Sequence, residues 1–144
     1  MDEPDSTSTV AQLMDEYAAA VHDKDVARLE RLYDDGVRVF DMWDVWSYEG
    51  RTQWRDSIAA WFASLADDRV AVAFESVRIE TFGACAVADA FVTYTRVAPD
   101  GARDRAQTNR LTWVLTAAAG RWSVRHEHTS APVDPESGEA KLIR

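Results

Sequence analysis

Val37-Arg38-Val39-Phe40-Asp41-Met42-Trp43 alternates as a strand does and then departs from its own pattern. Val37 and Val39 share a face, and a period of two puts Asp41 next on it, so a carboxylate continues an apolar row. Burying an ionised carboxylate costs on the order of several kcal/mol unless it is paired or kept partly wet. Two readings follow. Asp41 is either the last strand residue, turning into solvent, or a base at the mouth of an apolar pocket. Trp43, Trp46 and Tyr48 follow closely. Such aromatic groups beside a polar one either line a small-molecule pocket or belong to ordinary core.

Upstream of this stretch the period is helical. Residues 1–8 are polar and read as a frayed end, after which Thr9 and Gln12 have the spacing of a capping box. Val10, Leu13, Met14, Tyr17 and Val21 then form one apolar stripe. Tyr17 lies on its buried face, where a hydroxyl serves either a structural hydrogen bond or a donor into a cavity. His22 to Lys24 break the helix and Asp25 can cap a second one. Val26, Leu29 and Tyr33 continue it to Gly36, read as a left-handed stop.

Downstream, Gly50 precedes a third helix that Thr52 can cap, with Trp54, Ile58, Trp61, Phe62 and Leu65 on one face. From Val70 the period becomes two. Val70, Val72 and Phe74 alternate, Gly83 marks a turn, and residues 84–97 read as a long strand ended by Pro99-Asp100-Gly101. Strands over 106–117 and 121–130 follow, separated by Gly120, and a tail from about 133 to 144 reads as flexible. Helices first and consecutive strands afterwards give an α+β domain over 1–144, with three N-terminal helices packed on a bent, mostly antiparallel sheet.

A chain of 144 residues buries a core without metal or disulfides. Its formal charge of -9, with basic residues scattered singly, excludes binding driven by a phosphate backbone, so no nucleic-acid partner is expected. No apolar run approaches the ~20 residues of a membrane span. The acidic start at Asp2, Glu3 and Asp5 is unlike a secretion signal, so a cytoplasmic protein with no membrane partner is expected. Cys85 is the only cysteine and reads as a buried, inert thiol.

His126-Glu127-His128 is the most metal-like string, because alternate strand residues point the same way. The only other histidine is His22, and Trp122 and Val124 continue the histidine face, so packed or interface histidines are expected and no metal site. Arg125, Glu127 and Thr129 occupy the other face. Arg110 and Thr112 share a face of the neighbouring strand, and hairpin pairing can bring them beside Arg125 and Glu127. The result is either an ion-pair network or the polar floor of a pocket.

The order of elements and several strings resemble the SnoaL-like branch of the NTF2-like superfamily, which includes ketosteroid isomerases and polyketide cyclases. The resemblance rests on Leu13-Met14 through Tyr17, Lys24-Asp25, Leu32-Tyr33-Asp34-Asp35, Val39-Phe40-Asp41 and Gly50-Arg51. At the end it rests on Gly120-Arg121-Trp122 and His126-Glu127-His128-Thr129-Ser130-Ala131-Pro132. It implies a cone-shaped fold with a strongly bent sheet. By position it makes Asp41 the general base and Tyr17 the oxyanion donor, with Tyr33 supporting Tyr17. The family's second oxyanion donor falls near Thr112 or Arg110. The resemblance also turns Glu127 and Thr129 toward the pocket and His126 and His128 away from it.

The expected function is cofactor-independent proton abstraction next to a carbonyl, leading to isomerisation or cyclisation of an apolar, polyketide- or steroid-like molecule. Trp43, Trp46, Trp61, Arg110, Thr112, Glu127 and Thr129 are expected to contact it. The alternatives are water activation by Asp41 or Glu127, as in epoxide hydrolysis, and a non-catalytic binding or association domain. Val87 and Phe91, apolar on the outer face of the long strands, point to a homodimer.

Overall fold

The structure, a computed structural model, describes residues 6–144, with side chains from Thr9 onward. Its elements follow the predicted order. Helix α1 (Ser6–His22) and the short α2 (Val26–Glu30) lead into strand β1 (Tyr33–Phe40), and β2 (Tyr48–Glu49) precedes α3 (Arg51–Ser64). Four long strands complete the chain: β3 (Arg69–Phe82), β4 (Cys85–Val97), β5 (Arg103–Ala118) and β6 (Arg121–Ser130). They form one sheet in the order β2-β1-β6-β5-β4-β3, antiparallel throughout except where β1 runs parallel to β6.

The apolar stripes decide which faces meet. Val10, Met14, Tyr17 and Val21 of α1 and Trp54, Ile58 and Phe62 of α3 are buried, together with Leu111, Trp113 and Leu115 of β5. On β4 the inward positions are small, Ala86, Ala88 and Ala90, so the helices can lie close to the sheet before Val92. Register shifts interrupt the pairing of β3 with β4, β4 with β5 and β5 with β6. An extra residue at each shift bends and twists the strand, and together they curl the sheet around the helices. No helix among the described residues is long and apolar enough to cross a membrane.

Several local expectations are corrected. The part of the frayed N-terminus at residues 1–5 lies outside the described residues, and α1 starts at Ser6, which places Thr9 inside the helix and not at its cap. Asp25 does cap α2, accepting from the Arg28 amide at 3.1 Å. Yet α2 ends at Glu30, and Gly36 lies inside β1. Gly36 therefore stops no helix; a Cβ there would meet the flexible end of the Arg125 side chain at 2.5 Å. Gly50, not Thr52, is the N-cap of α3, at a φ of 87° that L side chains avoid. Cys85 is half-buried at the start of β4.

The C-terminal tail folds back. Val133 bridges to Ala140, and the Thr108 amide donates to the Leu142 carbonyl at 2.7 Å. Because β6 ends at Ser130 opposite Arg110, the tail meets the stretch of β5 that β6 no longer accompanies.

Candidate active site

The inside of the curl holds a cavity of about 900 Å³, walled by α1, α3, β4, β5, β6 and the loop after β1. Pockets of this size take a drug-sized or polycyclic molecule. Val37 and Val39 are fully buried, and Asp41, next in their row, is half-buried on the cavity wall. The carboxylate therefore looks into the cavity and not into open solvent. Its Oδ1 accepts from the Thr129 hydroxyl at 2.9 Å, and that hydroxyl in turn accepts from the Met42 amide at 2.9 Å. Burial raises the Asp41 pKa above its usual value, opposed by the Thr129 hydroxyl and the amides of Trp43 and Met42.

Glu127 is a second carboxyl at the same cavity, only 2% exposed. Its Oε1 accepts from the Tyr33 hydroxyl at 2.6 Å and from Trp113 Nε1 at 2.8 Å. Burial pushes its pKa up to about 7, and the nearby Asp41 charge adds to the rise against the two donors. Two carboxyl groups of one cavity thus differ in environment: Asp41 ionises first, and Glu127 holds its proton toward neutrality. Tyr17, buried on α1, meets Tyr94 of β4 hydroxyl to hydroxyl at 2.9 Å, and both line the cavity. Desolvation holds both phenols well above their ordinary pKa, so each stays a neutral donor.

Asp41, Tyr17, Glu127, Trp43 and Trp61 all line the cavity, and Thr129 holds Asp41 from behind. Tyr33 is buried nearby but bonds Glu127, so Tyr94 is the phenol that supports Tyr17. Trp46 is 97% exposed and is no wall of the cavity, because the bends of the loop turn it outward. Arg110 and Thr112 are exposed on the outer face of β5, since strand parity puts Leu111 and Trp113 inward. They cannot supply the second oxyanion donor, and Arg110 Nε instead donates to the Ser130 hydroxyl at 3.0 Å.

The histidines follow the same logic. Arg125 is an extra residue in β6 where the pairing steps from Val114–His126 to Leu115–Val124. The bulge reverses the parity, so Trp122 and Val124 share the inner face with Glu127 and Thr129, while His126 and His128 pack outside against Phe40. Among the described residues no cluster of three His, Cys, Asp or Glu side chains is placed to hold a metal.

Sequence reasoning missed Tyr94 and Trp113. The signal for Tyr94 was the inward row Ala86, Ala88, Ala90, Val92, whose next member it is. The signal for Trp113 was the same period of two, as the middle member of the row Leu111, Trp113, Leu115.

The fold has many solved counterparts. An NTF2-like protein of unknown function from Pseudomonas putida KT2440 superposes with a TM-score of 0.83 at 22% identity, covering 95% of this chain and 94% of that one. Aln2 from a Streptomyces species gives 0.78 at 13% identity, covering 90% and 93%. An NTF2-like protein with a cystatin-like fold from Novosphingobium aromaticivorans gives 0.76 at 15%, covering 91% and 84%. These likenesses establish the NTF2-like fold. No curated protein sequence matches the chain. The SnoaL-like domain profile matches residues 10–134, nearly the whole of the described chain, and the chain belongs to the SnoaL-like family.

Proposed function

We propose that the cavity is the active site of a small-molecule enzyme that abstracts a proton next to a carbonyl, with isomerisation or ring closure as the outcome. The observation that carries this reading is Asp41, a half-buried carboxylate held by Thr129 on the wall of a cavity otherwise lined largely by apolar and aromatic groups. Asp41 takes the proton from the carbon beside the carbonyl, and the electron pair moves onto the carbonyl oxygen as an enolate. The Tyr17–Tyr94 pair donates to that oxygen, and protonated Glu127 adds a second acidic group at the same cavity. Where a carbon–carbon double bond is conjugated with the enolate, Asp41 returns the proton to its far carbon; otherwise the enolate carbon attacks a second carbonyl in the same molecule, and the alkoxide so formed takes the proton back from Asp41. This chemistry needs no cofactor. The substrate is an apolar, ring-bearing ketone, and the enzyme works as a cytoplasmic homodimer.

A panel of cyclic ketones incubated in deuterated water tests the reading without the natural substrate. Wild-type protein is expected to exchange the protons next to the carbonyl of those ketones it binds. Asp41→Asn should slow that exchange by ~10²-fold or more. Exchange that persists in Asp41→Asn would remove Asp41 as the base, and ketones bound tightly and never exchanged would leave a binding domain and not an enzyme.

A second reading draws on the two carboxyls in different protonation states. Ionised Asp41 can deprotonate a water while protonated Glu127 gives its proton to an epoxide oxygen, leaving a diol. Incorporation of labelled oxygen from water into the product separates this from proton abstraction.

A further inference from the structure

Asn109 is a polar side chain of the cavity that the proposed chemistry leaves unused and whose hydrogen bonding is unmet. It belongs to the inward row of β5 with Leu111, Trp113 and Leu115, and it lines the cavity. Trp113 pairs across the sheet with Glu127, and Leu111 pairs with Thr129, which holds Asp41. Asn109 is therefore the next step along the same wall, about 7 Å beyond Leu111. On the other side its strand neighbour is Val92, followed inward by Tyr94. Along β5 Asn109 thus lies between Leu111, the strand partner of Thr129, and Gln107, the strand partner of Tyr94.

Its hydrogen bonding is incomplete. Asn109 Oδ1 is buried with no partner among the described residues. Nδ2 is not among the buried, unsatisfied atoms and makes no hydrogen bond among the described residues, so it is the end of the amide left open to the cavity. Burying half an amide without a partner is destabilising, and leucine or valine would fill the same place in an apolar wall at no such cost. A residue that costs the free protein stability and presents a donor to a ligand cavity is accounted for by the ligand. Its backbone is well fixed for such a task. β4 pairs with it on one side, and on the other the adjacent Thr108 amide is clamped to the Leu142 carbonyl of the folded-back tail.

We infer that Asn109 is a specificity residue of this cavity, and that its Nδ2–H donates to a second oxygen of the substrate, distinct from the carbonyl at which the proton is taken. The substrate class is thereby narrowed to apolar ring compounds oxygenated at two or more positions. The inference rests on the reading of the cavity as a substrate site, but not on turnover.

The test is calorimetric titration with 2-naphthol and with 2,6-dihydroxynaphthalene, which differ by one oxygen. Wild-type protein is expected to bind the diol about tenfold more tightly, the worth of one buried hydrogen bond. Asn109→Leu should lose that preference, bind 2-naphthol at least as well, and melt at a higher temperature because the orphaned oxygen is gone. A merely structural asparagine predicts a lower melting temperature and an unchanged ratio of affinities, and that result overturns the inference. If the leucine variant does not fold, Asn109→Ser removes the amide without adding bulk and must lose the same preference. Binding of neither compound to wild-type protein overturns the inference together with the reading of the cavity. Binding of both with the diol preference intact in the variants overturns the inference alone.

Discussion

The Thr129 hydroxyl stands between two partners, donating to Asp41 Oδ1 and accepting from the Met42 amide, each at 2.9 Å. One hydroxyl on β6 thus orients the carboxylate at the end of β1 and ties down the loop that follows it. Thr129 is itself 4% exposed and paired across the sheet with Leu111, so the hydroxyl has little freedom to leave. Thr129→Val keeps the shape and removes both bonds. The Asp41 pKa, already raised by burial, should climb further once a donor to its charged form is lost. The acidic limb of the pH–rate profile then moves to higher pH, and the orphaned Met42 amide costs roughly 1–3 kcal/mol of stability. An acidic limb that stays in place would show that Thr129 does not act on Asp41.

Glu127 sets a measurable pH dependence of stability. Its carboxyl goes from a reference of 4.5 to about 7 in the folded chain, first because it is buried. The folded state therefore holds this proton more tightly than the unfolded state, and stability falls as pH rises from about 4.5 through about 7. The full effect is on the order of 3 kcal/mol. Glu127→Gln keeps an acceptor for Tyr33 and Trp113 but has no proton to lose. Its melting temperature should exceed that of the wild type at pH 8, with the gap closing toward pH 4.5. Parallel melting curves across this range would contradict the assignment.

The two phenols near the carboxyls should separate by function. Tyr94→Phe removes the partner of Tyr17 and should lower turnover while leaving the Glu127 titration almost where it was. Tyr33→Phe removes a donor to the ionised form of Glu127, so the Glu127 pKa rises. Its effect on turnover should be the smaller of the two. Carbon-detected NMR titration of Glu127 in both variants, alongside kinetics, tells them apart. An upward shift in Tyr94→Phe matching that in Tyr33→Phe would undo the division.

What was legible in the sequence follows from how local each signal is. The apolar stripe of α1, the Asp25 cap, the hairpin turns at Gly83 and Gly120 and the Asp41 row all depend on neighbours within a few residues, and all appear in the structure. Arg110 and Thr112 lie outside because the apolar residues take the inward parity: Leu111 and Trp113 own the inward face of β5, and polarity alone does not say which face of a strand meets the cavity. The face of Trp122 and Val124 was misread for a subtler reason, a single extra residue at Arg125 that no local pattern announces. The Tyr17–Tyr94 pair spans 77 positions, so only the fold could reveal it.

The outer face of the sheet carries the next expectation, a homodimer. Val87 and Phe91 of β4 lie on that face and are only partly covered by their own chain, with the Arg144 guanidinium 3.9 Å from the centre of the Phe91 ring. Phe40, His126 and His128 extend the patch across β1 and β6. A second copy would bury this apolar and aromatic surface. Light scattering at micromolar concentration should give twice the chain mass, and Val87→Asp should shift the protein to monomer with its fold retained. A wild-type monomer at that concentration would refute the interface.

Asp41→Asn separates the catalytic reading from a structural one even before a substrate is in hand. Burial raises the Asp41 pKa above 3.8, so the folded state favours the protonated form. The stabilising contribution of that form is complete below about 3.8 and is lost as pH rises through the folded value, which leaves a charged, partly desolvated group near neutrality. The asparagine is neutral at every pH and its Oδ1 can still accept from Thr129. The variant should therefore be as stable as the wild type, or more so, at pH 7, and lose that advantage below pH ~4. Removing the Asp41 charge should also lower the Glu127 pKa from about 7, because that charge helps to raise it. Turnover, by contrast, should fall ~10²-fold or more. A carboxylate kept for structure behaves in the opposite way: its replacement lowers the melting temperature at pH 7 and leaves activity in place. Thermal melts from pH 3 to pH 8, an NMR titration of Glu127 in both proteins and one rate measurement decide between the two.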